Sequence, residues 1–228
     1  MNAIFSKLLV FGTLLFGIPT TINAQPNTGP DLFELFANPK ILDSGDARIL
    51  FLCRSGQRLD LKGEARQYLF EDWKSGLVLD HSGEMFEVEV KYRLYDGEMI
   101  LKRGEDLCII QRPTVQALRF DEKIFVSIPY ENERSEEDHG YFELLTDGPI
   151  RLLRKYQLRG SRLKECLYLQ VDNGLARRYK GGKKSLLKYM GDKQQSMEDY
   201  LSSHRINWNN PEDLVMIIDY YHRLGTDG

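Results

Sequence analysis

The chain reads as a mainly β protein of the α+β class, an antiparallel meander, sandwich or open barrel followed by two or three C-terminal helices. Three observations carry this reading. Phe86, Val88, Val90, Tyr92 and Leu94 alternate strictly with Glu87, Glu89, Lys91, Arg93 and Tyr95, which is the period of a strand with one apolar and one charged face. Short extended runs recur at close spacing between turn-forming residues, with no room for the helices that parallel β-α units require. After Gly181-Gly182 the apolar period lengthens from two to nearly four, the signature of helix.

The N-terminus has the layout of an export signal. One basic residue, Lys7, precedes the apolar run Leu8–Ile18, which ends at Pro19 and a polar stretch finishing in Ile22-Asn23-Ala24 before Gln25. This order predicts a secretory signal over 1–24, cleaved after Ala24. The run is about half of the ~20 residues a membrane-crossing helix needs, and no later stretch approaches that length. No transmembrane segment is therefore expected after cleavage. Residues 25–72 are expected to be irregular, punctuated by Pro26, Gly29, Pro30 and Pro39, with one amphipathic turn carrying Leu32, Leu35 and Phe36 and a short strand over Ala47–Cys53.

From Trp73 the pattern sharpens into an antiparallel domain over 73–182. Gly76–Leu79 and Glu84–Tyr95 flank the turn Asp80-His81-Ser82-Gly83 and read as a hairpin. Further strands are expected over Glu98–Lys102, Asp106–Gln111, Thr114–Phe120, Lys123–Tyr130, Tyr141–Leu145, Ile150–Leu158, Glu165–Val171 and Leu175–Lys180. Residues 183–228 form the helical segment, expected to pack on the sheet. A short helix spans Lys184–Met190. A second starts at a capping box of Ser196 and Asp199 and carries the stripe Met197, Tyr200, Leu201 and His204. A third has Asn210 as N-cap, Pro211 next, and one apolar face of Leu214, Ile217, Ile218, Tyr221 and Leu224.

Composition narrows the functional classes. The formal charge is −3, and losing Lys7 with the signal makes it one unit more negative, so no global positive field argues for nucleic acid. The chain has no G-x-S-x-G, H-E-x-x-H, C-x-x-C, phosphate-cradling glycine loop or calcium-loop pattern, so no catalytic residue and no cofactor is assigned. The acidic segment Glu131–Gly140 offers Glu133, Glu136, Glu137, Asp138 and His139. It reads first as a solvated hairpin loop and, should Glu136, Asp138 and His139 converge, as a metal site.

A second charged feature is basic. Arg177, Arg178, Lys180, Lys183, Lys184 and Lys188 fall in one short stretch, which suits either a solvated turn or contact with anionic lipid headgroups or a polyanionic glycan. Of the aromatic C-terminal residues Trp208, Tyr220, Tyr221 and His204, helical spacing makes Tyr221 and His204 packing residues, while Trp208 and Tyr220 are of the kind found at partner contacts. Of the three cysteines, Cys53, Cys108 and Cys166, the pair Cys108–Cys166 is the first choice for a disulfide because both fall in expected strands. Three buried thiols are the alternative.

The order Tyr141-Phe-Glu-Leu-Leu-Thr-Asp-Gly, Leu152-Leu-Arg-Lys-Tyr, Leu167-Tyr-Leu, the Asp-Asn-Gly turn, Leu186-Leu, Asp192-Lys193, Pro211-Glu-Asp-Leu and Asp219-Tyr-Tyr resembles a group of exported proteins of unknown function in Bacteroidota-type bacteria. The resemblance covers about Trp73–Leu224 and implies compartment and architecture without a catalytic residue. The sequence therefore points to an exported protein of the periplasm or cell surface, a non-enzymatic binding or protein-interaction module with an envelope protein or a lipid as partner. A lipid or lipoprotein carrier with an apolar cavity, and a hydrolase whose site is assembled in space, are the alternatives.

Overall fold

Alternation and turn chemistry produce one ten-stranded antiparallel sheet. The structure, a computed structural model, describes residues 31–41, 53, 67–103 and 106–226. The signal-like segment and the Ala47–Cys53 strand, apart from Cys53 itself, lie outside the described residues. Helix α1 (Leu32–Ala37) precedes β1 (Lys74–Asp80), β2 (Met85–Arg93), β3 (Glu98–Arg103) and β4 (Asp106–Ile109). A 3-10 turn at Arg112–Thr114 leads to β5 (Val115–Phe120), β6 (Lys123–Glu131), β7 (Glu137–Leu144), β8 (Ile150–Arg159), β9 (Arg162–Val171) and the two-residue β10 (Arg177–Arg178). Helices α2 (Lys183–Leu187), α3 (Gln194–Ser203) and α4 (Pro211–Thr226) complete the chain. None of these helices is long and apolar enough to cross a membrane.

The strand order is β10-β9-β8-β7-β6-β5-β1-β2-β3-β4, and the sheet curls as a half-barrel. Its β10 end comes back onto β6 through a parallel bridge between Tyr130 and Ala176, fixed by the hydrogen bonds Ala176 N–H to the Pro129 carbonyl (3.1 Å) and Glu131 N–H to the Ala176 carbonyl (2.9 Å). Within that curl the inward face carries Tyr130, Phe142, Leu153, Cys166, Tyr168 and Ala176, and α1 covers the same face further along with Leu32 and Phe36. The opposite face is filled beneath β1–β7 by Val90, Tyr92, Leu101, Phe120, Phe125 and Tyr141. Its aromatic rings pack tightly, Phe120 on Phe125 at 4.8 Å and Phe125 on Tyr92 at 5.6 Å between centroids. Buried rings of this size supply much of a small core's apolar area.

The helices close the β8–β9 end of that second face. Ile150, Leu152 and Leu169 meet Leu186, Met190, Met197, Leu201, Leu214, Ile217 and Ile218 in one buried cluster. Asn210 caps α4 as expected, its side-chain oxygen accepting the Glu212 N–H at 3.1 Å. His222 of α4 sits over Gly148, where φ is +129° and a Cβ would lie 2.8 Å from the ring, so no larger residue fits. The Ile150 N–H donates to His222 Nε2 at 3.3 Å.

Several expectations are corrected. Helix α3 starts at Gln194, so Ser196 and Asp199 lie inside it and form no capping box. Of its stripe, Met197 and Leu201 are buried, Tyr200 is half-buried and His204 is exposed. Strand β7 begins inside the acidic segment, at Glu137, because Glu137, Asp138 and His139 pair with Glu131, Tyr130 and Pro129 in the backbone ladder. The disulfide joins Cys53 to Cys108, with Cα atoms 5.6 Å apart, in place of Cys108 to Cys166. Cys108 packs with the cluster on one face near the β4 edge, whereas Cys166 is a buried free thiol inside the curl on the other face. A sheet stands between the two sulfurs, and a disulfide cannot span it.

Candidate functional site: a cationic cleft at the mouth of the curl

Where β10 returns to β6, the end of the sheet leaves a cleft of about 470 Å3, within the range of small-ligand sites. Strand ends and turns supply its walls: Glu131, Asn132 and Glu133 from the β6–β7 hairpin, Arg159 from the end of β8, Tyr168 and Leu169 from β9, Arg177 and Arg178 from β10, and Tyr179, Lys180, Ser185, Lys188 and Tyr189 beyond it. Five cations thus face two carboxylates. Arg177 pairs with Glu131 (3.3 Å), while Arg178 (3.4 Å) and Arg159 (3.2 Å) both reach Glu133. Lys180 and Lys188 have no carboxylate at ion-pair distance among the described residues, and the Lys188 ammonium lies 4.5 Å from the centre of the Tyr189 ring.

One buried hydroxyl lies behind the wall. The Tyr179 hydroxyl is shut off from solvent beside the Ser185 hydroxyl and the Gly182 backbone N–H, and burial raises its pKa. Ser185 lies near enough to ease its ionisation, but the Ser185 hydroxyl donates to the carbonyls of Gly181 (2.7 Å) and Gly182 (2.8 Å).

Of the six basic residues grouped from the sequence, Arg177, Arg178, Lys180 and Lys188 line the cleft, whereas Lys183 and Lys184 are exposed on α2 outside it. Sequence reading missed Arg159 and Tyr189, took Tyr179 as a strand residue, and left Glu131 and Glu133 in the acidic loop, read as a solvated hairpin or a metal site. Their convergence depends on the return of β10 to β6, which brings residues near 131 and 178 together and leaves no local trace.

Behind the mouth lies a second unforeseen group. Arg178 faces Tyr168 in the register, and Lys155 faces Cys166, so all four side chains share the inward side. Lys155 is buried, with its ammonium 3.5 Å from the Tyr130 ring centre and 5.2 Å from that of Phe142. It makes no hydrogen bond or ion pair among the described residues, and burial pushes its pKa down to about 8, with Asp138 opposing. Tyr130, Phe142 and Tyr168 meet edge to face at 5.0–5.9 Å around it.

The metal reading is corrected. Asp138 and His139 are neighbours on a strand and point to opposite faces, and Glu136 turns to Asn132 (3.4 Å). Asp138 accepts from the Tyr130 hydroxyl at 3.0 Å, and no metal-ligating group of three forms among the described residues.

His139 does meet a hydroxyl, with Nε2 3.1 Å from Ser127 Oγ. The Ser127 proton, however, is donated to the Arg112 carbonyl, so His139 Nε2 must carry its own proton and donate. A general base needs a lone pair there. No carboxylate accepts from the His139 ring among the described residues, and burial lowers its pKa. His81 and Ser127 share a cleft of about 390 Å3 with Asp147. That carboxylate is committed to Arg151 (2.6 Å) and to the N–H groups of Leu32 (2.9 Å) and Gly148 (3.0 Å). At the C-terminus Tyr200 is sandwiched between Tyr220 (4.0 Å) and His204 (4.1 Å), so these rings spend their faces on one another.

Fold and site together define a curled antiparallel half-barrel with C-terminal helices and a cationic cleft at one end. Comparison with protein-family models, with curated proteins and with solved structures finds no match.

Proposed function

We propose that this is an exported, non-enzymatic binding protein of the periplasm or cell surface whose ligand site is the cleft at the β10 end. The observation that carries the reading is the charge imbalance there: Arg159, Arg177, Arg178, Lys180 and Lys188 surround a concavity with only Glu131 and Glu133 to answer them, on a chain that is acidic overall. Local positive charge in a concave, partly desolvated site focuses attraction on an anion even where the net charge opposes it. The signal-like N-terminus supports export, and so does the resemblance of Trp73–Leu224 to exported proteins of unknown function in Bacteroidota-type bacteria. A ligand of this kind is a small oxyanion or an anionic group on an envelope partner.

The test is an amide NMR titration of the chain lacking residues 1–24 with phosphate, sulfate and acetate at constant ionic strength. Shifts are expected at Arg177–Lys180 and Lys188–Tyr189, and are lost in the double variant Arg178→Gln, Lys188→Gln. Shifts absent with all three anions, or confined to another surface, would exclude the cleft as the ligand site.

A further inference from the structure

We propose that Glu133 is a tethered stand-in for the ligand's anionic group, so that the cleft takes a phosphate-type dianion that displaces this side chain. The inference rests on the anion-binding reading of the cleft and adds what holds the site when it is free. Its geometric basis is that two guanidiniums from different strands, Arg159 at the end of β8 and Arg178 on β10, both aim at the same atom, Glu133 Oε1, at 3.2 and 3.4 Å. Neither arginine has another carboxylate partner among the described residues.

The hairpin that carries Glu133 does not need it. Asn132 Oδ1 accepts the N–H groups of Arg134 (2.8 Å) and Glu136 (3.1 Å), and its backbone bonds to Glu136 and Ser135 close the turn, with Ser135 at a φ of +61°. Asn and Ser therefore shape the loop while Glu133 is free to leave. Leaving is also cheap, because the side chains are largely in water: Glu133 is 54% exposed and Arg159 60%. Ion pairs in that setting are weak and exchangeable.

What would replace the carboxylate follows from the charges left over. A single carboxylate satisfies the two guanidiniums but leaves Lys180 and Lys188 unanswered. A phosphate-type group with two charges and three acceptor oxygens takes both guanidiniums and still has an oxygen for a lysine. A monoanion such as acetate gains nothing over Glu133 itself. The tether thus discriminates by charge, and occupancy frees the β6–β7 hairpin from its two arginines.

The experiment compares inorganic phosphate binding by the wild-type chain, Glu133→Gln and Glu131→Gln, by calorimetry and amide NMR. Glu133→Gln should bind phosphate about fivefold more tightly than wild type, the scale of two exposed ion pairs no longer competing. Glu131→Gln, which frees only Arg177, should gain about twofold, the scale of one such pair. Thermal melts of the variants check that each is folded. If all three proteins bind phosphate at the cleft with equal affinity, or Glu133→Gln binds more weakly, Glu133 positions the arginines instead and the inference falls while the anion-binding reading stands. If none binds phosphate, the anion-binding reading falls as well. Cosedimentation with phosphatidylcholine vesicles, with and without phosphatidic acid, separates the two sources of such a group. Pelleting only with phosphatidic acid assigns a lipid headgroup, and phosphate binding without pelleting assigns a soluble ligand.

Discussion

Replacing Lys155 with methionine removes a buried charge and keeps the length of the side chain. The magnitude follows from the ammonium's surroundings. Burial that lowers its pKa from 10.5 to about 8 corresponds to about 3 kcal/mol of disfavoured ionisation. The contact with the Tyr130 ring returns roughly 1–2 kcal/mol of that, since desolvated cation–π pairs reach this size. The variant should therefore be more stable than wild type by about 1–2 kcal/mol at neutral pH.

The pH dependence is a sharper signature. Because the folded-state pKa is depressed, the unfolded chain binds more protons between about pH 8 and pH 10.5, so wild-type stability rises with pH across that window and the methionine variant lacks this rise. Burial raises the pKa of Tyr130 and Tyr168, the latter to about 12, and these act in the opposite direction only where unfolded tyrosine ionises, near pH 10. Urea denaturation followed by tryptophan fluorescence at about pH 7 and about pH 9 captures the difference while tyrosine is still largely protonated in both states. A variant less stable than wild type at pH 7, together with parallel pH curves for the two proteins, would refute the reasoning and make Lys155 a net contributor to the aromatic box.

Three further outcomes are expected. Burial lowers the pKa of His222, so the unfolded ring protonates first and stability falls as the pH drops below about 6.5; His222→Gln should lessen this loss in thermal melts, while His139, and at lower pH Asp138, still contribute in the same direction. Reducing Cys53–Cys108, which are 55 residues apart, should cost about 4 kcal/mol on the chain-entropy estimate, read as a lowered urea midpoint with reductant. A serine-directed fluorophosphonate should leave Ser127 unlabelled in intact-mass and peptide spectra, because its proton is held by the Arg112 carbonyl; stoichiometric labelling at Ser127 would reopen a hydrolase reading.

The parts of this fold that were legible are those whose physics is local. Strand β2 announces itself because one face is wet and the other dry, so Val88 and Val90 alternate with Glu87 and Glu89. Helix α4 does so through Asn210, Pro211 and a single apolar stripe. The first turns of β7 were hidden because a strand end held by backbone pairing needs no apolar side chains. Lys155 was hidden for a related reason: on a strand a lysine ordinarily marks the solvated side, and only the curl of the sheet converts that side into an interior. Arg177, Arg178, Lys180 and Lys188 were visible as a basic run, but Arg159 and Glu133 join them through pairings more than twenty residues apart in sequence. The cysteine pairing failed on the same ground, since strand membership says nothing about which face a sulfur occupies.

The return of β10 onto β6 bears on how copies of this chain meet. A sheet normally ends in a row of unsatisfied amides and carbonyls that welcomes another strand, and proteins blunt such rows with short strands, charge or covering segments. Here Ala176 spends its N–H and carbonyl on Pro129 and Glu131 of the same molecule, and the outermost strand is two arginines long. A neighbour arriving at that end finds like charge and a backbone already engaged, so the face that offers itself to an anion is closed to strand-by-strand self-association.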